Sequence, residues 1–161
     1  MDREYMLRRA TSSDLETIVA FTLEEAREAE GRELDPERAR RGVRAGLEDP
    51  SVATYWVAES GDGRAVASTS VVREWSNFNG GYYWWIQSLF IEAEHRGSGL
   101  VELLLESVTE AAQAAGALDL RLYAHRSNRR ALEAYRRCGF DEAPYVVMAR
   151  PVAADKRREL V

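Results

Sequence analysis

The sequence predicts an α+β fold, a mixed and mostly antiparallel central sheet flanked by helices, and three observations predict it. Helical periodicity lies towards both ends of the 161 residues, with a run of period-two segments and glycine turns between them. Hydrophobic residues make up 45% and charged residues 30%, the composition of an ordinary globular chain. No internal repeat, low-complexity tract or linker divides the chain, so residues 1–161 read as one domain, with 155–161 as a polar tail expected to fray.

Residues 5–9 read as a short first strand, followed by Thr11-Ser12-Ser13-Asp14, all residue types that cap helix N-termini. Leu15, Ile18, Val19, Thr22 or Leu23, and Ala26 then recur on one helical face until Gly31 closes the helix. Asp35 as N-cap and Pro36 at the first helical position open a second helix. Its thin apolar face (Ala39, Val43, Leu47) places it at the surface. From Thr54 the period changes to two: strands over 54–59 and 64–74 flank the turn Gly61-Asp62-Gly63. Asn79-Gly80-Gly81 makes the next turn, and 82–91 is a long strand apolar on both faces, hence central. Leu100, Val101, Leu104, Val108, Ala111, Ala112 and Ala115 repeat at helical spacing up to Gly116. A strand over 118–124 precedes a helix capped by Ser127, with Ala131, Ala134, Tyr135 and Cys138 on its buried face and Gly139 at its end. Residues 145–150 read as a last strand, giving the order β-α-α-β-β-β-α-β-α-β.

A net charge of −5 argues against a general nucleic-acid or membrane-surface binder. No apolar run approaches the roughly 20 residues that span a bilayer. Met1-Asp2-Arg3-Glu4 lacks the basic-then-apolar pattern of a signal peptide. The single cysteine, Cys138, excludes an internal disulfide framework. With only two histidines, no metal centre is expected. Together these features lead to the expectation of a cytoplasmic protein.

The sharpest chemical feature is His95-Arg96-Gly97-Ser98-Gly99-Leu100-Val101, between the long strand and an amphipathic helix. Its glycines let backbone approach a ligand, and the amides of the helix's first turn point outward at the positive end of the dipole. That is an anion site with the charge of Arg96 at its rim, although the glycines alone fit a plain strand-to-helix turn equally well. The Gly-Lys-Ser/Thr of a phosphate loop and the third glycine of a dinucleotide fingerprint are both missing. Nearby, Arg121, Arg126, Arg129, Arg130, Arg136 and Arg137 face a single acid, Glu133. A basic segment in a net-acidic chain points to a small polyanion; taken alone it reads as a solvated helix face.

Leu89-Phe90-Ile91, Arg96-Gly97-Ser98-Gly99, Asn128, Ala131, Tyr135 and Gly139-Phe140 together resemble the GNAT superfamily of N-acetyltransferases. The motif likeness covers about residues 85–149, and the order of elements matches over nearly the whole chain. The resemblance implies a GNAT-type sheet and a donor substrate, acetyl-CoA, whose pyrophosphate binds at Arg96, Gly97, Ser98, Gly99, Leu100 and Val101. Val101 stands where the family usually has Gly or Ala, and a valine amide still donates. The resemblance also implies that the long strand parts from its neighbour after about residue 88, freeing backbone groups of Phe90 and Ile91 to pair with the pantetheine arm. Asn128 and Ala131 join that cofactor-binding set, Asn128 by a hydrogen bond to pantetheine, although Asn128 also reads as a second N-cap candidate behind Ser127. Tyr135, which the helical period alone places in the core, lies in the family beside the thioester sulfur as a proton donor.

The expected reaction is direct attack of a primary amine, on a small molecule or a peptide, on acetyl-CoA. A strand amide would stabilise the oxyanion, and Tyr135 or water would reprotonate the sulfur. No acid precedes Glu92 on the long strand. The general base is therefore open between Glu24 or Glu28, which read better as surface charge, and a water held by Gln87 or Ser88. Trp75, Phe78, Tyr82, Tyr83, Trp84 and Trp85 read equally as core with a hairpin cover or as an acceptor wall, and exposed aromatics there point to a homodimer. His95 and His125 are expected on exposed rims, and Cys138 is expected to pack rather than react. A non-catalytic acyl-CoA-binding sensor is the alternative, and a small-anion or nucleotide-binding domain a third reading.

Overall fold

A computed structural model describes residues 5–152. Five segments pair into one sheet: β1 (Met6–Arg9), β2 (Thr54–Glu59), β3 (Ala65–Ser76), β4 (Gly81–Ile91) and β5 (Leu120–Leu122) lie side by side in chain order. The first three pairings are antiparallel and β4–β5 is parallel, so the sheet is mixed, as expected. On one face lie α1 (Leu15–Glu30) and α2 (Pro36–Glu48), where Ile18, Val19 and Val43 pack with Val57 of β2. On the other lie α3 (Leu100–Ala114) and α4 (Arg129–Arg137), where Leu105 and Val108 pack with Trp56, Val71, Trp84 and Ile86. No helix among the described residues is long and apolar enough to cross a membrane.

The helix signals act as the sequence implies. Gly31 ends α1 in the left-handed region at φ 63°, and the Asp35 carboxylate accepts from the Glu37 N–H that opens α2. Asp14, buried before α1, accepts from the Thr11 backbone N–H at 2.7 Å and from both Arg8 terminal nitrogens at 2.8 and 2.9 Å. Arg8 also donates to Glu59, so one guanidinium ties α1 to β1 and β2.

One expectation is sharpened and two need correction. α2 lies at the surface, as expected, but its thin inner face is tightly seated: Val43 is 3% exposed, and at Gly46 an added Cβ would stand 2.7 Å from Tyr55 Cε2. A missing side chain at residue 46 thus brings α2 down onto β2, a contact that counting apolar residues overlooks. Asn128, not Ser127, caps α4: its Oδ1 accepts from the Ala131 N–H at 3.1 Å, while Ser127 pairs with His125. Residues 145–150 form no strand. They are irregular and exposed, with Met148 89% accessible, and an apolar run without a partner backbone makes no ladder. The tail expected to fray, 155–161, lies outside the described residues.

Candidate active site

The site begins where β4 breaks its regularity. Its pairing with β3 shifts register between Ser70 and Val71: Ser70 faces Ser88 while Val71 faces Ile86, leaving Gln87 bulged and exposed. On the other edge, pairing with β5 stops at Ile86 opposite Leu122, two residues earlier than expected. Beyond that point the strands part, and the Leu89 N–H donates to Glu25 Oε1 at 3.1 Å instead of to a strand. Glu25 reaches this amide from α1, one turn past Phe21, whose ring stacks on Phe90 at 5.0 Å. Burial pushes its carboxyl up to about 7, against the lowering effect of the Leu89 hydrogen bond, and the Glu30 charge adds to the rise. The sequence reading missed Glu25 and weighed Glu24 and Glu28. The signal was present: Ile18, Phe21 or Thr22, and Glu25 share the inward stripe of α1. Glu24 instead pairs with Arg27, and Glu28 with Arg96.

Of the two backbone positions expected to be free, Phe90 and Ile91 pair with Ser68 and Ala67 on the β3 side. The Ile91 carbonyl is occupied, accepting from Arg96 Nε at 2.8 Å. Arg96 therefore folds back along β4, pairing with Glu28 at 2.6 Å and lying over the Phe90 ring, rather than standing free at the turn. Gly97 and Gly99 both have left-handed φ, 73° and 81°, which their lack of Cβ permits. Ser98 Oγ donates to the His95 carbonyl at 2.6 Å and fastens the turn. Gly99 caps α3, whose first turn starts at Leu100 and Val101. His95 is buried, contrary to expectation: its ring meets the Tyr5 hydroxyl at 3.0 Å, a partner ninety positions away that local sequence does not reveal. His125 is exposed, as expected.

From α4, Tyr135 and Cys138 pack against the Trp84–Leu105 cluster, though only partly buried. Among the described residues the Tyr135 hydroxyl has no hydrogen-bond partner. Burial, then the charges of Glu25 and Cys138, push Tyr135 up to about 12, so it stays protonated. The charge of Glu25 on α1 thus contributes to the rise of Tyr135 on α4, so the two groups are electrostatically coupled. Burial also raises the Cys138 thiol, the opposite of what a nucleophile needs. Of the six arginines near α4, Arg121 lies 3.5 Å over the Tyr83 ring and Arg136 pairs with Glu142, while Arg129 and Arg130 are exposed at the helix start.

On the α1–α2 side an open cavity of about 300 Å³ is lined by Thr22, Val43, Val52, Tyr55, Val72 and Gln87, among others. None of the aromatic cluster lines it. Trp84 is core beside Trp56, Trp85 stacks on Tyr123 at 4.5 Å, and Trp75, Phe78 and Tyr82 stand exposed at the β3–β4 hairpin.

Comparison with known proteins bears on this arrangement. The model of the acetyltransferase (GNAT) family matches residues 15–140, and the chain belongs to that family; it is an acetyltransferase of GNAT type. No curated protein matches. Among solved structures, a possible acetyltransferase from Clostridium difficile 630 is 29% identical, with a TM-score of 0.86 over 92% of this chain and 98% of that one. At 14% identity the aminoglycoside N-acetyltransferase AAC(6')-Iy in complex with CoA shares the fold, with a TM-score of 0.77 over 95% and 98% of the two chains. So does a ribosomal-protein-alanine N-acetyltransferase from Brucella melitensis biovar Abortus 2308, at 16% identity and a TM-score of 0.73 over 92% and 99%.

Proposed function

We propose that this chain transfers an acetyl group from acetyl-CoA to a primary amine of a small molecule by direct attack on the thioester. The observation that carries the reading is the Leu89 amide: it stands in the gap between β4 and β5 and already holds a carboxylate oxygen, Glu25 Oε1. An N–H preorganised to bind an oxygen anion is what the tetrahedral transition state requires. The acetyl oxygen takes this amide, and the pantetheine arm runs along β4 past Phe90 and Ile91 to Asn128 and Ala131. The pyrophosphate meets Gly97, Ser98, Gly99 and the Leu100 and Val101 amides. Arg96 turns to it by releasing Glu28, a partly exposed pair whose loss costs at most about 1 kcal/mol. Tyr135 donates a proton to the departing thiolate.

The open cavity supports a small acceptor with an apolar body, because Ala39, Val43, Val52, Ala53 and Val72 supply most of its walls. Exposed Trp75, Phe78 and Tyr82 support a homodimer through the hairpin, which light scattering reads directly. The test of the function is free-thiol release from acetyl-CoA with a panel of alkyl and aryl monoamines, polyamines and a peptide N-terminus. Turnover with a compact monoamine is expected. Acetyl-CoA stabilisation with no thiol release from any amine overturns catalysis and leaves an acyl-CoA-binding module.

A further inference from the structure

Glu25 lies between the two halves of the site. Towards the donor side it binds the Leu89 amide, and its charge reaches Tyr135 of α4. Towards the acceptor side, Thr22 stands one turn before it on α1 and Tyr55 of β2 lies within its field, and both residues line the open cavity. No ion pair engages Glu25 among the described residues, whereas Glu24 and Glu28 on the same helix are taken by Arg27 and Arg96. Resting on the acetyl-transfer reading above, we infer that Glu25 is the general base: the thioester oxygen displaces its carboxylate from the Leu89 amide, and the released carboxylate takes a proton from the acceptor ammonium.

The exchange fixes an order. While Glu25 holds Leu89 N–H, the oxyanion position is filled and the carboxylate is spent on an amide. Donor binding therefore both supplies the thioester and frees the base. An N–H bond of the ammonium then breaks and an O–H bond forms on Glu25, leaving a neutral amine whose lone pair attacks the thioester carbon. The C–S bond breaks, the thiolate takes the Tyr135 proton, and Tyr135 regains one from the nitrogen through solvent. Glu25 releases its proton to water. One ammonium and one thioester give one amide, one thiol and one proton. The titratable groups electrostatically coupled to Glu25 are Glu30 on its own helix, Tyr55 of β2 and Tyr135 of α4; burial and then Glu30 raise it, which suits a base working near neutral pH.

Glu25→Gln tests this, because the amide oxygen still accepts from Leu89 N–H while the base is gone. Acetyl-CoA should still raise the melting temperature. At pH 7, kcat/KM for the amine should fall on the order of 10²-fold or more. The wild type should show an acid limb near pH 7; Glu25→Gln should lose it and rise about tenfold per pH unit towards the amine's own pKa. Glu24→Gln should leave both profiles unchanged. If Glu25→Gln fails to fold, Glu25→Ala with added formate replaces it, and dose-dependent recovery of rate is expected. An active Glu25→Gln that keeps the wild-type limb overturns the assignment, as does an inactive Glu25→Ala that formate does not restore. A wild type that neither binds acetyl-CoA nor releases thiol overturns the transfer reading, and the base with it.

Discussion

Glu25 also carries a stability signature readable with no substrate at hand. Its carboxyl is raised from 4.5 to about 7, first by burial and then by Glu30, with the Leu89 hydrogen bond opposing. A folded-state value above the unfolded one means the native state binds more protons between the two, so the favourable protonated form is fully present below about pH 4.5 and lost as pH rises through about 7. At about 1.4 kcal/mol per pH unit the full displacement corresponds to roughly 3 kcal/mol, and partial exposure of the side chain reduces this to about 1–2 kcal/mol. Glu25→Gln keeps the shape and the acceptor oxygen but never ionises. It should therefore match the wild type at pH 4.5 and exceed it at pH 8 by about 1–2 kcal/mol, or roughly 3–6 °C in a chain of this size. Calorimetry of both proteins from pH 4.5 to pH 8 measures the difference directly. A gap that does not change with pH, or one that favours the wild type at pH 8, refutes the claim that burial of an ionising Glu25 is held at a cost.

Gly99→Asp places a negative charge and a side chain at φ 81°, where an added Cβ meets no neighbour within 4 Å. It should cost about 1 kcal/mol of backbone strain while abolishing acetyl-CoA stabilisation in a thermal melt. Tyr135→Phe removes a hydroxyl with no partner among the described residues, so its melting temperature should hold while kcat falls roughly 10- to 100-fold. Gly46→Ala drives a Cβ to within 2.7 Å of the Tyr55 ring and 2.9 Å of Ala53 Cβ, and denaturant unfolding should show about 1–3 kcal/mol of lost stability. Asp14, held below the usual carboxylate range chiefly by Arg8, stabilises the fold above its unfolded value and ceases to as pH falls through its folded one; Asp14→Asn should therefore narrow its deficit to the wild type in acid.

What the sequence made legible is what short-range chemistry encodes. Gly31 and Asp35-Pro36 set helix ends, Gly80 at φ 63° sets a hairpin, and the Gly97–Gly99 turn needs residues without Cβ, each within a few positions. The α4 motif was readable because Asn128, Ala131 and Tyr135 fall on adjacent turns. The remainder depended on contacts between distant segments. Tyr5 buries His95 across the fold, Arg96 is drawn to Glu28 sixty-eight positions away, and residues 145–150 lack the partner backbone that would make them a strand. Glu25 is the instructive case. Among the acids of α1 its choice is a matter of helix phase, and it becomes visible only when the inward stripe is followed through a polar residue rather than stopped at one.

In the proposed reaction the two titratable side chains, Tyr135 and Glu25, would divide the work by their opposing proton affinities. Tyr135, pushed up to about 12, holds its proton throughout the working range, and Glu25, near 7, gives and takes one there. The gap between them assigns a donor and an acceptor without a metal-bound water or a covalent intermediate in the scheme. It also limits Tyr135: a phenol near 12 gives its proton to a thiolate of ordinary affinity, about 8.5, only uphill. In the proposed reaction its contribution would thus be a hydrogen bond that strengthens as charge develops on sulfur, with complete transfer only as the nitrogen loses its own proton. The neighbouring carboxylate contributes to this arrangement. Each time Glu25 ionises, its field raises Tyr135 further, and each time it accepts the ammonium proton, that field is removed and the phenol becomes a better acid. On the proposed scheme, deprotonating the nucleophile would therefore prime the group that protonates the leaving sulfur, and Glu25→Gln should lower the Tyr135 phenol relative to the ionised wild type, a change readable in the ultraviolet titration of tyrosinate.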